Sequence, residues 1–391
     1  MNEKINVLHI IERLDIGGAE VLLLTFAKNV DKDKFKVIFC CIDEKGSLFE
    51  AIANEGVKIV CLKPTRYIYG CKRIFALMQL IKKENIDIVN THLHTANYIG
   101  RLVAYMMGVK IICKAEHGYT GDYRKQDIIN IPKYVKINMF LDRISDAIVY
   151  VSEAQLRNSS NKISSEKKIV IYNGLDTERF EFRNDRNSTR KALGLCDEDK
   201  VIGIVSNLHK YKGHIYILSS LEKILPFYPL LKLLIVGEGP EKSSLEKYVN
   251  DLGIKNNVIF LGGRKDVPEL MRAFDILVVP SLFESFGMTL IEGMYSKLPI
   301  IGTNVGGIPE ILKDGETGIL IPPRDSEAIK NALLKLIENP ALAKSMGERG
   351  REIVLSKFTG QRYAREMERL YISLLEERTE KLKKENQQCQ K

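Results

Sequence analysis

The chain has 391 residues, 59 Lys and Arg against 50 Asp and Glu, a formal charge of +9, and no Trp. A hydrophobic share of 45% and a charged share of 28% exclude a disordered, collagen-like or coiled-coil chain, and the length suits two domains at roughly 100–200 residues each. No apolar run approaches about 18 residues, which excludes a membrane-spanning helix. The N-terminus enters an apolar strand pattern at once, so no signal peptide is expected. Seven Cys, odd in number and mostly inside apolar runs, suit reduced thiols in a cytoplasmic core better than a disulfide framework, and no Cys-x-x-Cys pair suggests structural zinc.

Taken in chain order, β-branched runs at 5–11, 37–42, 57–62, 86–90, 110–115, 147–151 and 168–172 read as strands. Segments with apolar residues three and four apart, at 19–29, 74–83 and 96–107, read as the helices between them. A turn signal at Asn173-Gly174-Leu175-Asp176 and a polar stretch to Asn187 place a domain boundary there. The alternation then restarts, with strands at 201–205, 231–236, 257–261, 276–280, 299–303 and 318–321. Helices are expected at 215–225, 241–251, 267–273, 288–296, 326–338 and 341–355, and a last amphipathic one at 361–384. Strands alternating with helices predict two α/β domains, each with a parallel sheet covered on both faces. Ligands of such sheets bind beyond the carboxyl ends of the strands.

The charge is uneven. Residues 1–180 carry 27 cations and 21 anions, and residues 181–391 carry 32 and 29. Between Glu55 and Glu84 stand Lys58, Lys63, Arg66, Lys72, Arg73, Lys82 and Lys83 with no acid among them, and Tyr67, Ile68 and Tyr69 in their midst. The stretch 56–83, with Arg124, Lys125, Lys133 and Lys136, suits an anionic membrane or a lipid diphosphate. No nucleic-acid motif accompanies it.

The densest polar constellation is Ser281-Leu282-Phe283-Glu284-Ser285-Phe286-Gly287-Met288-Thr289-Leu290-Ile291-Glu292. Glu284 falls in the loop after a strand, and Gly287 opens a helix whose first amides, at Gly287, Met288 and Thr289, suit a phosphate. Glu284 and Glu292 suit hydroxyls of a sugar ring and of a ribose. A second strand-to-helix loop, Ser206-Asn207-Leu208-His209-Lys210-Tyr211-Lys212-Gly213-His214, sets a lysine before a helix-starting glycine, where its charge can neutralise a diphosphate. Gly237-Glu238-Gly239-Pro240 is a third tight turn, weak alone because it lacks the third glycine of a dinucleotide fingerprint.

In this order, with Leu261-Gly262-Gly263-Arg264, Val305-Gly306-Gly307 and the N-terminal strings Gly17-Gly18-Ala19-Glu20, Glu116-His117-Gly118 and Asn173-Gly174-Leu175-Asp176, the chain resembles the retaining glycosyltransferases of the family-four type with the GT-B fold. The resemblance implies two Rossmann-like domains facing a cleft. Residues 1–176 would bind the acceptor and 177–357 the nucleotide sugar, with 358–391 a helix packing back on the first domain. It implies that Glu284 contacts the donor sugar, Glu292 the ribose, and Lys212 with the amides of 287–289 the diphosphate. Asn207, Phe286 and Arg264 would line the donor site, Gly17 and Gly18 would close on the phosphates, and His117 would reach the transferred sugar. Catalysis is assigned to Glu284, Lys212 and His117; His92 and His94 are expected to be mainly structural. Asn207 stands where many relatives have Arg, so His209, Lys210 and Arg264 are candidates for the missing charge. Lys297 replaces a usual Gly and is expected to alter only a helix end.

Two Asp-x-Asp strings, Asp31-Lys32-Asp33 and Asp197-Glu198-Asp199, precede strands and read as turns, so neither metal nor cofactor is expected. The expected reaction moves a sugar from a nucleotide-diphosphate sugar, preferably a UDP-sugar, to a glycan or lipid-linked acceptor with retention, in cell-surface polysaccharide assembly at the inner membrane face. The alternatives are a nucleotide-sugar epimerase of the same fold and a non-catalytic sugar-nucleotide-binding protein.

Overall fold

A computed structural model describes residues 3–15, 17–62, 71–118, 132–159, 163–181 and 185–389, without the side chains of 132–136 and 389. The chain divides into two compact units, residues 1–174 with 360–391, and residues 175–359. At the division Leu175 donates its amide to the Phe358 carbonyl at 2.7 Å and bridges Thr359.

The first unit is built on a parallel sheet of seven strands: β1 (Ile5–Ile11), β2 (Phe35–Cys41), β3 (Lys58–Cys61), β4 (Ile88–His92), β5 (Ile111–Glu116), β6 (Ala147–Tyr150) and β7 (Lys168–Val170), in the order β3-β2-β1-β4-β5-β6-β7. Alternation along each strand feeds two separate cores. From β1, Val7 and Ile11 enter one cluster and Leu8 and Ile10 the other. The helix Gly360–Cys389 joins the first cluster through Tyr363, Ala364, Met367 and Tyr371, spaced to form one helical stripe. This cluster therefore closes only when the end of the chain returns to residues near its beginning.

The second unit has β8 (Lys200–Val205), β9 (Leu231–Val236), β10 (Val258–Gly262), β11 (Ile276–Val279), β12 (Ile300–Thr303) and β13 (Gly318–Ile321), parallel in the order β10-β9-β8-β11-β12-β13. Strand order reverses between β8 and β11. The loops leaving those two strands therefore diverge at a topological switch point, and they are the loops that carry Lys212 and Glu284.

Periodicity misses the helices Pro132–Ile144 and Arg186–Ala192. The second begins within the polar stretch read as a linker. Asp185 accepts from Ser188 N at 2.8 Å as its N-cap, and Arg186 donates to the carbonyls of Arg272 and Phe274 at 2.6 and 2.8 Å. Its arginines thus serve as buttresses to the second unit, a role that hydropathy scores as solvent-facing. Three further helices, Phe49–Ala53, Glu153–Arg157 and Ile308–Ile311, are too short to show a period.

Candidate functional site

β8 ends at Val205, and the chain passes through a short 3-10 turn, Lys210–Lys212, into the helix His214–Ile224. Gly213 makes that entry possible. Its φ is +72°, and a Cβ there would stand 2.0 Å from the Pro280 carbonyl oxygen, so the turn lies directly on the backbone leaving β11. Leu282 N donates to the Tyr211 carbonyl at 2.7 Å, tying the same two loops together. Lys212 Nζ donates to Glu284 Oε2 at 2.6 Å, and both side chains are mostly buried. Burial works against the ammonium, but the charge and hydrogen bond of Glu284 outweigh it and raise Lys212 above the ordinary amine value. Ser281 Oγ adds a long contact to the same carboxylate oxygen at 3.4 Å.

Gly287, at φ +108°, turns the chain into the helix Met288–Tyr295, where Leu290 N already donates to the Gly287 carbonyl at 3.0 Å and the amides of Met288 and Thr289 have no intrahelical carbonyl to meet. Thr289 Oγ1 donates to the Val205 carbonyl at 3.1 Å, which seats this helix start against the end of β8. Glu292 lies one turn further in. Its carboxyl makes no hydrogen bond among the described residues, and burial raises its pKa against the opposing charge of Arg179. Ammonium, carboxylate, open amides and a second carboxylate are thus brought to one end of one sheet.

Other expected residues are placed differently. The Phe286 ring is buried, edge-on to Phe358 at 5.8 Å, so only its backbone remains for a ligand. Arg264 forms a two-pronged pair with Asp266 at 2.8 and 2.6 Å, so its charge is already matched and is a poor substitute for the one Asn207 lacks. His209 stacks on Tyr211 at 5.5 Å, and Lys212 lies over the same ring at 5.4 Å. Lys297 has φ +60° at the end of Met288–Tyr295, where Lys297 N and Leu298 N donate to the carbonyls of Met294 and Gly293, both at 3.0 Å. This is a glycine-type helix stop filled by a residue with a Cβ, at a cost of about 1–2 kcal/mol.

The loop of Val305-Gly306-Gly307 has no role assigned by sequence reasoning, yet it carries the Glu284 backbone. Gly307 N donates to the Glu284 carbonyl at 3.0 Å, and a Cβ on Gly306 would stand 1.8 Å from that same oxygen. His214 was also passed over. It is buried, bonded to Ser206 Oγ at 3.1 Å, and held down to about 4 by burial and by the Lys212 charge.

In the first unit Gly17 caps the helix Gly18–Asn29 in extended conformation, φ −149°, and a Cβ there would meet only the movable end of the Glu20 side chain, so neither backbone conformation nor fixed atoms demand a glycine. Glu20 is pushed up to about 6, first by burial and then by Asp15 and Glu12. His117, which follows β5, stands in a row with two other imidazoles. His92 Nδ1 lies 2.8 Å from His117 Nε2, and His9 Nδ1 lies 2.9 Å from His92 Nε2. Burial lowers all three, His9 to about 3, His117 to about 4 and His92 well below the usual imidazole range. His9 and the Asn90–Tyr371 contact that continues the row were not foreseen. The signal was the two-residue strand period: His9, then Asn90 and His92, then Cys113 and His117 share one face of adjacent strands β1, β4 and β5.

The acid-free stretch 56–83 is not acid-free in space. Glu84 accepts from Lys58 at 2.7 Å and from Lys36 at 3.0 Å, and buried Arg73 pairs with Asp43 at 2.6 Å. Lys63, Arg66, Tyr67, Ile68 and Tyr69, with Arg124 and Lys125, lie outside the described residues, as do the side chains of Lys133 and Lys136. Lys72, Lys82 and Lys83 remain exposed on the helix Cys71–Lys83. Both Asp-x-Asp strings fold as turns: Asp31 Oδ1 accepts from Asp33 N at 3.0 Å and Asp199 Oδ2 from Cys196 N at 2.7 Å.

Residues 185–353 match the family model described as glycosyl transferases group 1, and residues 16–179 match glycosyltransferase family 4. N-acetyl-α-D-glucosaminyl L-malate synthase of Bacillus anthracis is 31% identical over 302 residues, 76% of this chain and 78% of that protein. The chain belongs to the group 1 glycosyltransferases. This glycosyltransferase is also 24% identical, over 96% of its length and 98% of the relative's, to the UDP-Gal:α-D-GlcNAc-diphosphoundecaprenol α-1,3-galactosyltransferase of Escherichia coli. Its fold is GT-B. The structure of HepE from Anabaena in complex with UDP and glucose matches it with a TM-score of 0.82 at 21% identity, over 94% of this chain and 99% of that one.

Proposed function

We propose that this glycosyltransferase moves a hexose-type sugar from a nucleotide-diphosphate sugar, preferably a UDP-sugar, to a glycan or lipid-linked acceptor with retention, in cell-surface polysaccharide assembly. The observation that carries the donor half is the Lys212–Glu284 pair, 2.6 Å apart beside the open first turn of Met288–Tyr295. A diphosphate gains charge as the anomeric C–O bond breaks, and a fixed ammonium with aligned amides stabilises that charge more in the transition state than in the ground state. The new C–O bond forms on the face the diphosphate leaves, and the acceptor proton passes to a phosphate oxygen. Glu284 orients the sugar by accepting from its hydroxyls, Glu292 accepts from the ribose, and His117 offers its imidazole to a sugar hydroxyl. Metal independence accords with both Asp-x-Asp strings being occupied as turns. The uridine preference draws support from the UDP bound by HepE and the UDP-Gal donor of the Escherichia coli relative.

A thermal-shift panel of UDP-, GDP-, ADP- and CMP-sugars tests the donor. Ligand at about 100 times its Kd adds about 2.7 kcal/mol to folded-state stability, or roughly 5 °C or more in Tm. UDP-sugars are expected to give that rise and the others little. A larger rise with GDP-sugars would overturn the uridine assignment.

We further propose that the enzyme works at the inner face of an anionic membrane. The support lies in three neighbouring helices, Cys71–Lys83, His94–Met106 and Pro132–Ile144, whose sole acid, Asp142, is buried. They expose Phe75, Leu102, Tyr105, Met106, Met139 and Phe140 beside Lys72, Lys82 and Lys83. Among the described residues no helix is long and apolar enough to cross a membrane. The protein should pellet with vesicles containing anionic lipid and stay in the supernatant with neutral ones; equal partition would count against this surface.

A further inference from the structure

A neutral imidazole has one N–H and one bare nitrogen. Imidazoles bonded in series therefore share one direction, and whatever anchors one end sets the proton position at the other. Here the anchor is Asn90, on β4, whose Nδ2 donates to Tyr371 Oη at 2.8 Å. The Tyr371 hydroxyl must then give its own proton to His9 Nε2, 3.4 Å away. His9 carries its proton on Nδ1, facing His92 Nε2 at 2.9 Å, and His92 carries its proton on Nδ1, facing His117 Nε2 at 2.8 Å. His117 is left with its proton on Nδ1. That nitrogen is buried and has no hydrogen-bond partner among the described residues.

An unpaired buried donor costs about 1–3 kcal/mol, and the row is held in spite of it. The ring planes of His9 and His92, and of His92 and His117, lie within 15° and 25° of each other, end to end as in-line N–H···N bonds require, and Phe26 and Phe39 flank His9 at 4.9 and 5.2 Å. Leu93, directly after His92, has φ +63° and ψ −168°, a conformation that costs a non-glycine residue about 1–3 kcal/mol and marks sites where geometry is over-determined. Turning the Asn90 amide over would reverse the row. It would move the unpaired N–H from His117 Nδ1 to Asn90, at the position of Asn90 Oδ1, which has no partner, and leave His117 Nδ1 a bare acceptor.

We propose that Asn90, Tyr371, His9 and His92 are positioning residues that present His117 Nδ1 as a hydrogen-bond donor to an oxygen of the bound sugar. The proposal rests on the transferase reading for its ligand, but not for its geometry. It gives the helix Gly360–Cys389 a part in the site, since Tyr371 is its contribution to the row.

The test is a long-range 1H–15N spectrum of the full chain with 15N-labelled histidine, assigned by replacing each histidine in turn. In the wild type, His9, His92 and His117 should each show the Nδ1–H tautomer. Tyr371→Phe should leave His117 in mixed tautomers and lower kcat roughly 5- to 10-fold, the worth of about one hydrogen bond. Tyr363→Phe, a buried neighbour on the same helix outside the row, should change neither. An Nε2–H tautomer at His117 in the wild type, or an unaltered spectrum in folded Tyr371→Phe, overturns the proposal. If Tyr371→Phe does not fold, the wild-type spectrum still decides. That spectrum needs no substrate, so a wrong tautomer refutes the row, whereas failure of the transferase reading shows only in turnover.

Discussion

Replacing Lys212 with Met should lower kcat at saturating donor by roughly 10²- to 10³-fold, the usual loss when one preorganised group facing developing charge is removed. The ammonium is fixed before substrate arrives, by Glu284 at 2.6 Å and by the Tyr211 ring beneath it at 5.4 Å. It therefore spends little free energy on reorganisation as the diphosphate departs. The same substitution leaves a mostly buried Glu284 without its partner, at about 1–3 kcal/mol of stability. The two effects separate in one comparison. Lys212→Met/Glu284→Gln should recover much of the lost Tm, because the stranded charge is gone, and recover none of the kcat. Turnover within a few-fold of wild type in the single variant would place the leaving group elsewhere.

Gly306→Ala should cost about 2–4 kcal/mol of stability and most of the activity, although Gly306 carries no chemistry. Its φ of +52° disfavours any Cβ, and that Cβ would sit 1.8 Å from the Glu284 carbonyl oxygen. Relief requires the Glu284 backbone to move, and a displacement near 1 Å can cost about 10² in rate. Gly315→Ala is the matched control, since φ is +72° there with open space around the new methyl group. It should lose only the left-handed penalty of about 1–2 kcal/mol and keep its turnover. Urea midpoints and kcat measured on both variants decide the matter, and equal losses in the two would show that the Glu284 contact is unimportant.

Most of the architecture was legible because the signals were local. The strands of both sheets follow from β-branched runs, and Gly213, Lys212, Glu284 and Glu292 follow from their places at strand ends and helix starts. Reading failed where a residue's role depends on which side chain it meets in the folded chain. The acid-free stretch 56–83 looked like an open cationic surface, yet Lys58 is matched by Glu84 just beyond it and Arg73 by Asp43 before it. Arg264 looked available for a phosphate and is held by Asp266 two residues on. Phe286 looked like a ligand-facing aromatic inside a polar motif, but its ring packs on Phe358, 72 residues later in the chain.

The charge surplus shows the division most clearly. Sequence alone determined that the surplus is larger in the first half, and which short loops bring an ammonium, a carboxylate and open amides to strand ends. These are consequences of local backbone geometry and of composition, which neighbouring residues specify. Tertiary structure decided which cations remain unmatched, which glycine protects the Glu284 backbone, and that His9, His92 and His117 join in one row reaching Tyr371. Those outcomes depend on strand order and on the return of the last helix, which bring together residues as far apart as His9 and Tyr371. Hydrogen bonds act over about 3 Å, so only the folded chain can say which of its polar groups meet.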